Sequence, residues 1–203
     1  MRGSLYASGC FRALRLRTAY EIEVDPEFPA DGDWHVPAFF FDRDRTVSQS
    51  PGDSRWGAPL VIRATMGPER WVGTFTAGID GVRGVFATPN PGRICCVVAG
   101  LAYVVNVKDP GAGAELAHWQ ITSVTSVPGK DTLLLVGVVD ITALGQGGTE
   151  WRSERLVLDD LRVLHASADG IACTGTIPGH DAPRITLDPS TGHVIEGPRV
   201  NLM

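Results

Sequence analysis

The chain is poor in lysine, and acidic residues dominate its charge. Only two of its 18 basic residues are lysines, Lys108 and Lys130, and 23 acidic residues leave a net charge of −5. An acidic surface repels phosphate backbones, and no segment combines clustered basic residues with aromatic side chains. The sequence therefore predicts no binding of nucleic acid. Its bias toward arginine, glycine and alanine indicates a bacterial source with a GC-rich genome.

Long apolar runs are also missing. The longest nearly apolar stretch, from Ile94 to Val105, has 12 residues and is interrupted by Gly100. A helix that spans a bilayer needs about 20 apolar residues. The arginines near the N-terminus are not followed by the apolar segment that a secretory signal peptide requires. We therefore expect no association with a membrane.

Cysteine is scarce, with residues at positions 10, 95, 96 and 173 only. Their spacing contains no Cys-x-x-Cys, which argues against a zinc site built on thiolates. Cys95 and Cys96 are neighbours in an apolar segment, so on a strand their side chains would point to opposite faces. We interpret the cysteines as reduced residues of a hydrophobic core, which favours a cytoplasmic location.

Glycine and proline, in contrast, are abundant. The 24 glycines and 14 prolines form turn segments that recur at roughly 8 to 12 residues, as in sandwiches, barrels and propellers. Between the turns, apolar residues alternate with period two, for example in 11–16 and 20–24. The pattern predicts a mainly β fold, either an antiparallel sandwich or an irregular barrel, with a small propeller-like arrangement as the alternative.

The same pattern bears on domain organisation. Residues 1–203 are expected to form a single β-rich domain, and the polar segment 43–57 is the one candidate boundary. The segment 153–168 has possible helix caps, but its apolar residues scatter around a helical wheel. We interpret it as a hairpin whose two arms lie on either side of Asp159 and Asp160.

Two segments resemble the repeats of bacterial β-propellers. In 86–107, a Thr-Pro-Asn-Pro-Gly turn precedes a strand of small apolar residues, a second turn and a strand with an aromatic residue. Residues 184–195 are similar to the Leu-Asp-x-x-Thr-Gly hairpin of propeller blades. In such a hairpin, Asp188 and Thr191 bond turn amides, while Gly192 takes a positive φ. The resemblance implies blade-like sheets, although no period of about 40 to 50 residues extends along the chain.

One group of residues has the chemistry of a metal site. His180 and Asp181 are adjacent, and a histidine beside a carboxylate binds divalent ions in metal phosphohydrolases. Asp188 and His193 would complete a set of two histidines and two carboxylates if the hairpin folds back. The alternative interpretation is a polar turn with solvated side chains, because short motifs also match by chance. A small metal-dependent hydrolase, with His180 and Asp181 as its catalytic candidates, is therefore one hypothesis.

No other pattern provides a catalytic set. The chain has no Gly-x-Ser-x-Gly nucleophile turn, and the glycine-rich segment 145–148 is not followed by the Lys-Ser/Thr of a phosphate-binding loop. Cysteines in apolar strands have raised pKa values and are inert. These absences favour a protein without enzymatic activity over an enzyme, leave the hydrolase hypothesis open, and predict no cofactor.

The tryptophans suggest binding surfaces instead. Trp56 lies in a polar segment with few apolar neighbours, which makes it the candidate partner contact. Trp34 and Trp56 together support a second alternative, a carbohydrate-binding domain. The main hypothesis is a non-enzymatic module that binds a protein in a bacterial complex, with self-association through exposed strand edges also possible.

Overall fold

The structure is a computed structural model that describes residues 18–43, 47–48 and 57–200. Strands make up almost all of the regular secondary structure in these ranges, together with a short 3-10 helix at Pro110–Ala112. The prediction of a mainly β fold is therefore confirmed. Within the same ranges, no helix is long and apolar enough to cross a membrane.

The chain divides into two compact units. Unit 1 extends from the first described residues to Ala87 and continues over Pro91–Gln120. Unit 2 comprises Thr88–Asn90 and the described residues from Ile121 onward. The division thus falls outside the segment 43–57, and the single-domain interpretation stays a prediction.

Unit 1 is built from two sheets. Its strands in chain order are β1 (Glu21–Val24), β2 (Ala38–Phe41), β3 (Val47–Ser48), β4 (Leu60–Met66), β5 (Glu69–Phe75), β6 (Gly84–Ala87), β7 (Arg93–Val98), β8 (Leu101–Asn106) and β9 (Ala114–His118). The first sheet has the order β1-β4-β5-β2-β3, in which the β2–β5 pair is parallel. The second sheet is an antiparallel meander, β6-β7-β8-β9.

Unit 2 is built from two further antiparallel meanders. Its strands are β10 (Ser123–Ser126), β11 (Leu133–Val136), β12 (Ile141–Gly145), β13 (Gly148–Arg152), β14 (Asp159–Ala166), β15 (Ile171–Thr176), β16 (Ile185–Leu187) and β17 (Val194–Glu196). The sheet orders are β10-β11-β12-β13 and β14-β15-β16-β17. Each sheet follows chain order because short turns connect antiparallel neighbours directly.

In each unit the two sheets share one hydrophobic core. In unit 1, alternate residues of β4 (Leu60, Ile62 and Ala64) are fully buried in that core. The rings of Phe41 and Phe75 stack beside them, with centroids 4.6 Å apart. Period-two burial against a second sheet is the arrangement of a sandwich, and none of the four described sheets closes into a barrel.

The hairpin predicted within 153–168 is not formed, because residues 153–158 lie outside any strand and the chain does not turn at the paired aspartates. Asp159 and Asp160 instead begin the eight-residue strand β14, and a register shift follows them. Asp160 has φ +57°, a conformation common to turns and to bulges, so the sequence pattern does not distinguish the two. The hairpin connects β14 to β15 through residues 167–170.

The β16–β17 hairpin has the predicted local geometry. Asp188 Oδ1 accepts a hydrogen bond from the amide of Ser190 at 2.7 Å, and Thr191 Oγ1 accepts one from the amide of His193 at 3.4 Å. Gly192 has φ +72°, the left-handed conformation that glycine tolerates best. These details of the hairpin are confirmed, and the wider resemblance to propeller repeats stays a prediction.

Trp151 joins the two meanders of unit 2. It belongs to β13, and its indole Nε1 donates a hydrogen bond to the carbonyl of Pro189 at 3.1 Å, in the turn of the other sheet. Its ring lies directly against Gly192, where a Cβ atom would come within 2.9 Å of three ring atoms. The glycine is therefore required both for its backbone angle and for the space that Trp151 occupies.

We expect Gly192→Ala to destabilise the protein far more than Gly179→Ala. Both glycines have similar positive φ values, +72° and +79°, but a Cβ at position 179 has nothing within 4 Å. The control should lose about 1 kcal/mol from backbone strain, and Gly192→Ala about 3 kcal/mol because it also collides with Trp151. Thermal unfolding followed by circular dichroism measures both. Equal losses would contradict the packing of Trp151 on Gly192.

Candidate functional site

The predicted metal ligands are not assembled into a site. His180, Asp181 and His193 are exposed, and the Asp188 carboxylate bonds the turn amide of Ser190. The structure describes all four candidates, yet among its described residues no group of three or more His, Cys, Asp or Glu side chains is placed to hold a metal ion. One physical reason is local: the Asp188 carboxylate accepts a hydrogen bond from the amide of Ser190 in its own turn.

The predicted contact Trp56 lies outside the described residues, as does Cys10. The other three cysteines are free and buried, as predicted. Burial raises the pKa of Cys95 and of Cys173 to about 12 and that of Cys96 well above its ordinary value. Thiols with such pKa values stay protonated at neutral pH and are poor nucleophiles.

A segment with an exposed aromatic side chain lies between β1 and β2. We call residues 25–37 the aromatic loop. Phe28 is 60% exposed and meets the half-buried Trp34 edge to face, with ring centroids 5.1 Å apart. The guanidinium of Arg63 lies 5.4 Å from the Trp34 ring centroid, and it also pairs with Glu23 at 2.7 Å. The loop is therefore attached to β1 and β4 through the tryptophan.

Polar contacts inside the aromatic loop fix its shape. His35 Nε2 and Asp31 Oδ2 are 2.6 Å apart, and this contact lowers the pKa of the Asp31 carboxyl. The amide of His35 donates to Asp33 Oδ1 at 2.9 Å, and the amide of Gly32 donates to the carbonyl of Pro29 at 3.0 Å. A loop with this internal bonding loses little conformational freedom when a partner binds.

A second exposed apolar residue lies on an anchored turn. Ile79 is 87% exposed in the connection from β5 to β6. The amide of Gly78 donates to the carbonyl of Val98 at 2.9 Å, which fixes one end of the turn. At the other end, Arg83 Nη2 donates to both oxygens of Asp25, at 3.0 and 3.1 Å. Because Asp25 begins the aromatic loop, this ion pair connects the two exposed segments.

We give the name apolar surface of unit 1 to three exposed apolar residues on these two connected segments. It consists of Phe28, Ile79 and the 42% exposed Val24, which precedes Asp25 in the chain. The Arg83–Asp25 pair is half exposed and contributes at most about 1 kcal/mol to stability, so its main effect is on position. The sequence contained no signal for this grouping, because Asp25 and Arg83 are far apart in the chain.

Unit 2 contains a cleft of about 310 Å³ between two strands that lie at sheet edges. We call it the β10/β14 cleft. One side is formed near the start of β10 and the other by the first part of β14. Its lining residues are Thr122, Ser123, Val138, Asp159, Asp160, Leu161, Arg162 and Val163.

The charged side chains of the cleft are partly paired with one another. Arg162 contacts both carboxylate oxygens of Asp160, through Nε at 3.1 Å and Nη2 at 3.0 Å. Asp159 Oδ1 accepts the amide of Asp160 at 2.8 Å. The bulge in β14 directs these groups, since an extra residue in a strand changes where its side chains point.

Comparisons with protein-family models, curated proteins and solved structures found no match to this chain. Inferences about function therefore depend on its own residues and contacts.

We expect the buried thiols to be unreactive in the folded protein. In a Cys10→Ser background, a thiol reagent should modify no cysteine under native conditions and three after unfolding in guanidinium. Rapid reaction of Cys95 or Cys173 in the native protein would contradict their burial. It would also make a cysteine nucleophile a hypothesis again.

The buried thiols also predict how stability depends on pH. Because the folded-state pKa values of Cys95 and Cys173 are raised, the contribution of these thiols to stability is complete below about pH 9 and is lost as pH rises toward 12.

Proposed function

We propose that this chain is a non-enzymatic, cytoplasmic module that binds another protein, as an assembly or regulatory subunit of a bacterial complex. One observation carries the proposal: Val24, Phe28 and Ile79 are exposed on segments that the Arg83–Asp25 pair connects. Contiguous exposed apolar residues mark contact sites, whereas single ones are ordinary, so the proposal requires that the three residues act together.

The energetics of the apolar surface favour a protein partner. Complete burial of a side chain such as Phe28 or Ile79 contributes about 1.5–3 kcal/mol. The hydrogen bonds within the aromatic loop and the turn reduce the entropy that is lost on binding. Trp34 and Arg63 belong to the residue types that dominate the binding energy of protein interfaces.

The carbohydrate hypothesis fits the same residues less well. A sugar stacks on an open aromatic face, but Arg63 lies over the Trp34 ring and Phe28 contacts it edge to face. The second tryptophan of that hypothesis, Trp56, is outside the described residues. The hydrolase hypothesis stays a prediction for which the described residues provide no assembled set of ligands.

We expect Phe28→Ser to remove the bound partner. Tagged wild-type protein should recover a defined protein from the cells that naturally produce it, and Phe28→Ser should reduce that recovery about tenfold, equivalent to about 1.4 kcal/mol. Ile195→Ser is the matched control, because Ile195 is also 60% exposed but lies in unit 2. Recovery is measured by quantitative mass spectrometry.

Three results would contradict the proposal. The first is equal recovery by wild type and Phe28→Ser. The second is specific retention of a glycan, which supports the carbohydrate alternative. The third is turnover with stoichiometric bound metal that is lost in His180→Ala, which supports the hydrolase alternative. Native mass spectrometry identifies the remaining case, in which the partner is a second copy of the chain.

A further inference from the structure

Unit 2 has a strand edge that continues out of the β10/β14 cleft. Strand β14 is the longest of the described strands and pairs on one side only, with β15. The amide of Leu161 donates to the carbonyl of Val138 at 3.1 Å, so the first half of β14 already contacts the segment between β11 and β12. Residues 163–166 have no strand on their outer side among the described residues.

This open edge has two of the features that hinder strand addition, register shifts and charged side chains, and lacks the others. Protein sheets protect their edges with charged residues such as lysine, with proline, with short strands or with bulges. The edge of β14 contains neither lysine nor proline, and Leu164 is 57% exposed on it. One of its two register shifts lies between Val163 and His165, so an added strand has to follow a twisted edge there. No described strand covers the outer side of residues 163–166.

The cleft at the end of this edge has an excess of negative charge. Arg162 neutralises Asp160, whereas Asp159 forms no ion pair with a described residue. The chain as a whole is also acidic, with a net charge of −5. A cationic group is thus favoured in the cleft both by its nearest carboxylate and by the longer-range field. A volume of about 310 Å³ is at the lower end of ligand sites, so it suits one side chain or chain end.

We propose that unit 2 binds an extended, basic peptide segment of a partner protein. The segment adds to β14 along residues 163–166 through backbone hydrogen bonds, in the manner of other strand-addition complexes. Its lysine, arginine or terminal amine enters the β10/β14 cleft and pairs with Asp159, while the hydroxyls of Thr122 and Ser123 accept from the same cation. This site does not involve the apolar surface of unit 1.

The test uses two synthetic peptides of alternating valine and threonine, one with a single lysine and one with glutamate in its place. Binding is followed by ¹H–¹⁵N chemical-shift mapping on the full chain. The lysine peptide should shift the amides of 163–166 and of the cleft residues, and the glutamate peptide should bind at least about tenfold more weakly. Equal binding of both peptides, or no shift in β14, would overturn the proposal.

Two variants define the site more closely. Asp159→Asn should weaken the lysine peptide about tenfold and should not weaken the glutamate peptide, because it removes a charge that attracts the first and repels the second. Glu196→Gln, on the opposite edge strand β17 of the same sheet, is the matched control and should have no effect. Because both substitutions are at exposed positions, an unchanged amide spectrum verifies that each variant is folded. An effect of the control equal to that of Asp159→Asn would overturn the role of the cleft.

Two further measurements distinguish peptide binding at β14 from binding at the apolar surface of unit 1 and from self-association. Phe28→Ser should leave peptide binding intact, so failure at one surface is distinguishable from failure at the other. Analytical ultracentrifugation of wild type and Leu164→Lys addresses a second copy as the occupant. A concentration-dependent dimer that Leu164→Lys abolishes would overturn the peptide proposal, because the chain itself would then fill the edge.

Discussion

Each strand in this protein must find hydrogen-bond partners for its backbone, and both units depend on that constraint. An unpaired buried amide or carbonyl costs about as much as a lost hydrogen bond, so short strands are stable only beside neighbours. Three of the four described sheets meet the requirement with consecutive hairpins. Every open sheet has two strands at its edges, and both proposed surfaces of this chain adjoin such strands: the aromatic loop follows β1, and the cleft lies between β10 and β14.

The sequence predicted the features that depend on contacts between near neighbours in the chain. It did not predict those that depend on contacts between distant residues. Period-two alternation and the turn residues predicted the β class, and residues 188–192 predicted a hairpin in detail, because those contacts join near neighbours. The parallel pairing of β2 with β5 had no local signal, since its register depends on strands that are distant in the chain. The position of Arg63 over Trp34 was likewise unpredictable, because it requires β4 to pair with β1 first.

The candidate sites show the same dependence on range. Residues 180, 181, 188 and 193 have the right chemistry for a metal and are close in sequence, but proximity in sequence does not orient side chains toward a common point. In contrast, Ser123 lines one cleft with Asp159 and Arg162 although it is distant from both in the sequence. Carboxylates in turns are often used by the turn itself, as at Asp188, so a short polar motif does not by itself define a metal site.

The distribution of buried cysteines has a consequence for how the two units fold. Cys96 lies in the core of unit 1 and Cys173 in the core of unit 2. Each sulfur reaches solvent only when its own surroundings open, so the labelling rate at each position reports the opening of one unit. Rates that coincide under all conditions mean that the units open in a single cooperative step. Rates that diverge as denaturant is added mean that one unit opens while the other is still folded, and the natural sequence thus contains a separate kinetic reporter for each unit.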